Sequence, residues 1–154
     1  MEPSMHSNSY ARLAAMAVLS FISMYVLMYA MVDRFANVYP NLNQAYMAGL
    51  MTAPMVALEL LLMGSMYENK AANWIILAGS VLALVGFFAL IRAQSGITDR
   101  QFLKSMIPHH AGAILMCTEA PVEDTDIREL CRKIVAGQQQ EIDEMKTKLD
   151  AINR

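Results

Sequence analysis

The stretch Ile107 to Cys117, "IPHHAGAILMC", places two adjacent histidines, a methionine and a cysteine within eleven residues. Met106 precedes them, so Met106 lies one helical turn before His110, while Met116 lies two turns beyond His109 and Cys117 two turns beyond His110. Imidazole nitrogen suits copper, zinc, nickel and iron, whereas thioether and thiolate sulfur select copper(I). The donor set therefore points to copper, as Cu(I) or Cu(II), ahead of zinc. Other chemistry lacks its residues. The chain has no glycine-rich phosphate loop, no nucleophile motif, no His-Glu-x-x-His and no Glu-x-x-His pair of the kind that carboxylate-rich di-iron bundles use. No catalytic residue is assigned, and a non-enzymatic role is expected.

Donors act together only if the chain positions them. "TDRQ" at Thr98 is a capping-box pattern, and from it the apolar positions Phe102, Leu103, Met106, His110, Ala113, Ile114 and Cys117 step by threes and fours, predicting a helix over about residues 98–120. Pro108 inside it deletes one backbone hydrogen bond and predicts a kink. Pro121 ends this helix and Asp124 caps the next, whose stripe runs Ile127, Leu130, Cys131, Ile134, Gln138, Ile142, Met145 and Leu149. The connection is short, so the two helices should form an antiparallel hairpin that brings Cys117 to Cys131, His110 to Gln138 and Met106 to Ile142. His110 then faces the seam. Its plain alternative is a core histidine hydrogen-bonded to Gln138. The two cysteines could close a disulfide or hold copper(I) as thiolates, and the disulfide is expected in an oxidising compartment. Two helices cannot enclose a core alone. A symmetric homodimer, or a higher homo-oligomer, completing a four-helix bundle is the simplest remedy, with packing on the chain's own N-terminal half as the alternative.

That N-terminal half reads as membrane. Of 154 residues 56% are hydrophobic and only 17% charged, and nineteen of the charges fall from Arg92 onward. Three apolar runs, about residues 13–32, 45–67 and 71–91, reach the roughly 20 residues that cross a bilayer. The expectation is an all-α chain with a membrane domain over 1–92, in contact with lipid, and a hairpin domain over 98–150. Flanking basic residues do not choose a side, since Arg12 and Lys70 balance Arg34 and Arg92. The cysteines, both in the polar half, favour an external hairpin. A net charge of −2 with no basic cluster excludes a nucleic-acid partner. Glu59, inside the second run, costs on the order of 3 kcal/mol at mid-membrane and should face the bundle, hydrogen-bonded to Ser20, Ser23, Tyr25 or Thr52. Met24, Met28 and Met31, and Met47, Met51 and Met55, form two helical stripes that read as flexible filling or as a thioether path for copper(I).

"FLKSMIPHHAGAILM" followed by "DTDIRELCRKIVAGQQQEIDEM" resembles the domain-of-unknown-function 305 family, whose pattern is a Met-Ile-Pro-His-His core, a downstream Met, and a second helix with a Gln followed by Glu-Ile and Met. The resemblance implies a ferritin-like helical fold and an exported, copper-binding role in metal tolerance. Carried onto this chain, it implies Met106, His109, His110, Met116 and Met145 as metal ligands, with Gln138 and Glu141 at matching second-helix positions. Cys117 and Cys131 depart from the family pattern, which usually has small apolar residues there. The expectation is a bacterial inner-membrane protein with a periplasmic copper-binding hairpin for tolerance, storage or delivery. The alternatives are a metal-free dimeric interaction module and a thiol redox protein using Cys117 and Cys131.

Overall fold

The computed structural model describes residues 6–152. All regular structure among them is helical: α1 (His6–Leu27), α2 (Leu42–Leu62), α3 (Lys70–Ala93), α4 (Asp99–Glu119) and α5 (Thr125–Ile152), with 3-10 turns at Met28–Met31, Phe35–Asn37 and Gly64–Met66. The chain divides into two compact units, one containing α1, α2 and α3 and the other containing Met28–Leu42 with α4 and α5.

In the first unit, Ser9–Met31, Leu42–Leu62 and Lys70–Ala93 are long and apolar enough to cross a membrane. Their burial pattern inverts that of a soluble core. Small or polar residues, Ala48, Gly49, Thr52, Ala53 and Ser80, are buried, whereas Leu19, Trp74 and Leu82 are 63%, 70% and 72% exposed. Small residues let helix backbones approach in lipid, and large apolar ones face the acyl chains. Gly49 shows how close that approach is, since a Cβ there would meet the Phe87 ring at 2.4 Å. The α2 helix ends at Leu62, which puts Glu59 in its last turn rather than at mid-helix. Its partner is none of the four expected: the Tyr67 hydroxyl donates to Glu59 Oε1 at 3.4 Å, and the Tyr67 ring packs on that of Tyr10 at 5.3 Å. Likewise α1 ends at Leu27, so Met28 and Met31 sit in a 3-10 turn and do not continue the stripe of Met24. Asn69 caps α3 by accepting from the Ala72 N–H. Gln94 ends it in the left-handed region, φ 48°, with Gly96 following at φ 71°, and the Gln94 side chain exchanges two 3.1 Å hydrogen bonds with Asn43.

In the second unit, Thr98 caps α4, its hydroxyl accepting from the Gln101 N–H. Only half of the expected capping box forms, because Gln101 Oε1 instead accepts from the Leu42 N–H at 3.0 Å. The α4 helix is continuous through Pro108. Asp124 caps α5 as its sequence predicts, accepting from the N–H groups of Asp126 and Ile127. The core of the unit is Leu103, Ile107, Ala111 and Ile114 against Ile142, Met145 and Leu149. Ile107 and Ile142 are fully buried, each contributing about 1.5–3 kcal/mol. The inward line on α4 is thus rotated from the predicted one: Ile107 and Ala111 are in, His110 and Ala113 lie at its edge, and Phe102 faces out. On α5 the buried stretch is the C-terminal half, while Ile127 and Leu130 are exposed.

What covers this core comes from the chain itself. Residues 28–42 lie across the α4–α5 pair as a strap, with Val32 and Tyr39 packed on the core and the Met31 carbonyl 3.3 Å from where a Cβ on Gly112 would stand. Polar contacts pin it. Buried Asn37 accepts from Lys146 Nζ at 2.6 Å and donates to Asp33 Oδ1 at 2.6 Å, and Arg34 reaches both Asp33 and Gln139. Tyr29 closes the strap on itself by donating to the Tyr39 carbonyl.

Two predictions follow from this geometry. Gly112→Val drives a branched side chain into the Met31 carbonyl and should destabilise the second unit by about 1–3 kcal/mol. Gly137→Ala, at a helical glycine with nothing within 4 Å of an added Cβ, should stabilise it by about 0.5–1 kcal/mol. Thermal unfolding followed by circular dichroism in detergent should therefore move in opposite directions for the two variants. Asp33 supplies the pH dependence. Burial pushes its pKa up, but the hydrogen bonds from Asn37 and Arg34 outweigh this and hold it below the ordinary 3.8. A depressed carboxylate pKa stabilises the fold above the unfolded value and loses that contribution as pH falls through the folded one. Between pH 6 and pH 3, the wild-type melting temperature should accordingly fall further than that of Asp33→Asn.

Candidate functional site

Pro108 and Gly112 bracket the histidine pair on α4, and the rotated inward line of that helix decides what each histidine does. Ile107 and Ala111 point into the core, so His110 falls at the seam and His109 on the outside. The two rings stand 6.0 Å apart, tilted by 58°. His110 is largely covered, with a side chain 12% exposed, and its Nδ1 lies 2.9 Å from Glu141 Oε2 on α5. That is ion-pair distance, yet the approach lacks the alignment of an N–H···O hydrogen bond, and Nδ1 is buried with no hydrogen-bond partner. Burial pushes the His110 pKa below the ordinary 6.5, the Glu141 carboxylate opposes this, and neighbouring His109 reinforces it. At neutral pH the imidazole is therefore neutral, the form that can donate a lone pair to a metal.

The remaining candidates separate around this pair. Met106 is partly buried and packs on the core cluster that contains Met145. Met145 is itself 9% exposed, so its thioether serves packing. Met116 is 53% exposed on the outward side, the same side as His109. The contact at His110 expected from Gln138 is made by Glu141, one turn further along α5, because the inward rotation of α4 shifts the register. Among the described residues no three His, Cys, Asp or Glu side chains cluster as a metal-binding group. One chain thus brings together an unbonded imidazole nitrogen, a carboxylate and a thioether near the core.

Cys117 and Cys131 are both free thiols and half-buried. The hydrogen bond to Cys131, together with burial, pushes the Cys117 thiol pKa up. They line an open cavity of about 590 Å³ together with Arg128 and Arg132. The residues that sequence reasoning missed are Asp33, Asn37 and Lys146 of the strap, which hold the unit carrying the site. "DRFANVYPNLNQ" reads as a polar connection between two apolar runs, and no periodicity in it reveals a partner.

The family model described as "Domain of unknown function (DUF305)" matches residues 87–149, beginning at Phe87 within α3. "Uncharacterized protein L153" of Acanthamoeba polyphaga mimivirus is 33% identical over 138 residues, which cover 88% of this chain and 89% of that protein. No solved structure matches the chain. A likeness of that extent takes in the apolar helices as well as the α4–α5 pair, and the chain belongs to the family of proteins that carry a DUF305 domain.

Proposed function

We propose that this is a membrane-embedded copper-binding protein that serves metal tolerance, storage or delivery through the α4–α5 pair. The observation that carries the reading is His110 Nδ1, buried, bonded to nothing and facing a carboxylate. An unsatisfied buried polar atom is rare, and a neutral imidazole beside a carboxylate and near a thioether is a donor set that copper accepts. His110 and His109 would hold the ion, Met106 would supply sulfur, and Glu141 would bind or orient the imidazole. Met145 and Met116 leave the ligand set, the first because withdrawing it would open the core and the second because it faces outward. Copper bound here would be held for transfer, since few donors and an open edge favour exchange over burial.

An incomplete donor set calls for more ligands. A second copy, docked through outward apolar side chains such as Phe102, Ile127 and Leu130, is the proposed source, giving a helical bundle with the site between copies. The proposed orientation puts the α4–α5 pair on the external face of the membrane, in keeping with the exported role that the family resemblance implies.

The test is a copper titration of full-length protein in detergent, with the copper(I) arm run anaerobically. Replacing His109 and His110 by alanine should remove one high-affinity equivalent of copper and leave helix content unchanged, because neither side chain belongs to the core. Met106→Leu should weaken copper(I) more than copper(II), since leucine keeps the volume and removes the soft donor. Unchanged affinity in the double variant would reject copper and leave His110 and Glu141 as a structural contact. Orientation is checked separately: a membrane-impermeant maleimide, applied to intact cells after mild reduction, should label Cys117 and Cys131. Labelling only after lysis would place the pair on the cytosolic side.

A further inference from the structure

We infer that Cys117 and Cys131 form a second metal site, a two-sulfur clamp for a soft monovalent ion of the copper(I) or silver(I) class, separate from the histidine edge. The inference rests on geometry that the proposed histidine site does not use. One thiol comes from α4 and the other from α5, and both line the same cavity. The pair opens into a cavity of about 590 Å³ on the surface of the unit, so an ion enters from solvent without breaching the core of Ile107 and Ile142.

The identity of the ion follows from what is absent and what is near. Among the described residues no third His, Cys, Asp or Glu joins the two cysteines. Structural zinc requires four ligands, and two thiolates leave it half-coordinated. A d10 monovalent ion is satisfied by two thiolates in a linear arrangement, and thiolate softness favours it over harder divalent ions. Charge is also matched. Binding replaces two S–H bonds by two metal–sulfur bonds and releases two protons, so that M⁺ and two thiols give an anionic bis-thiolate with no change of oxidation state. Arg128 and Arg132 line the same cavity and provide the positive charge that such an anion needs. Both guanidiniums already have partners, Arg128 on the Glu123 carbonyl and Arg132 on the Glu129 carboxylate, so each is held in place. Occupancy by a metal would also shield the thiols from oxidation, the competing fate of a close pair in an external compartment.

The experiment uses full-length protein in detergent, purified anaerobically and titrated with copper(I) against a chromophoric chelator, with silver(I) as a redox-inert second probe. Wild type should bind one equivalent of ion that brings thiolate-to-metal ultraviolet absorption and protects two thiols from a chromogenic disulfide reagent. Cys117→Ser and Cys131→Ser should each lose that equivalent with unchanged helix content. The His109→Ala/His110→Ala variant should keep it, which separates this site from the histidine site: a double variant that loses no ion at all sinks the proposed function and not the clamp. The clamp is overturned if the serine variants bind as much copper(I) and silver(I) as wild type, or if the ion leaves thiol reactivity unchanged. It is equally overturned if unfolded protein isolated without reductant yields no free thiols, which would make the pair a disulfide.

Discussion

The close approach of the strap backbone to α4 at Gly112 is the contact on which the second unit depends. Two helices joined by a short turn bury one stripe each and leave the seam between them open along one edge. Val32 and Tyr39 close that edge in this protein, and they reach it because the Met31 carbonyl passes where a side chain on Gly112 would stand. The hydrogen bonds around Asn37 then serve a different purpose from the packing. Asn37 is 1% exposed, so its amide must be satisfied inside the protein, and Lys146 and Asp33 do so on opposite sides. A strap held by packing alone could slide. One held by a buried amide bonded at both its nitrogen and its oxygen has a single register.

The histidine edge inherits its character from that closure. With the core line at Ile107 and Ala111, His110 comes to the margin, where burial is deep enough to keep the imidazole neutral but shallow enough to leave an approach. The Glu141 carboxylate lies at 2.9 Å without completing a hydrogen bond. Desolvation wins over the attraction of the carboxylate, as the downward direction of the His110 pKa records. Further along the same pair of helices the two cysteines line a cavity open to solvent. Histidine and cysteine therefore share one interface while differing in surroundings: the first is set against the core and the second in an open, arginine-lined cavity.

In the apolar unit the same physics runs with lipid in place of water. Ala48, Gly49, Thr52, Ala53 and Ser80 are inside because small residues permit close backbones, and Leu19, Trp74 and Leu82 are outside because the bilayer is as apolar as they are. The polar residues that remain are tied locally. Thr52 and Ser80 donate to carbonyls four residues back in their own helices, and Glu59 takes the Tyr67 hydroxyl just past the end of α2.

Helix identity, the three bilayer-length apolar runs and the caps at Thr98 and Asp124 were legible in the order of residues, because each depends on neighbours within a few positions: side-chain periodicity, run length, and an oxygen that reaches the next exposed amide. That Cys117 and Cys131 would line one cavity was legible too, since a short turn between two helices brings residues equidistant from it to the same level. Tertiary structure decided the rest. Which side of α4 faces inward was settled by the bulk of Ile107 and by the space Gly112 leaves for the Met31 carbonyl, and this rotation moved the contact at His110 from Gln138 to Glu141. The strap was invisible beforehand because residues 28–42 are contiguous with an apolar helix and carry no periodic pattern of their own. Only folding selects which polar side chains of this connection are buried with those of α5, and Asn37 with Lys146, separated by 109 positions, is a pairing no local rule could reach.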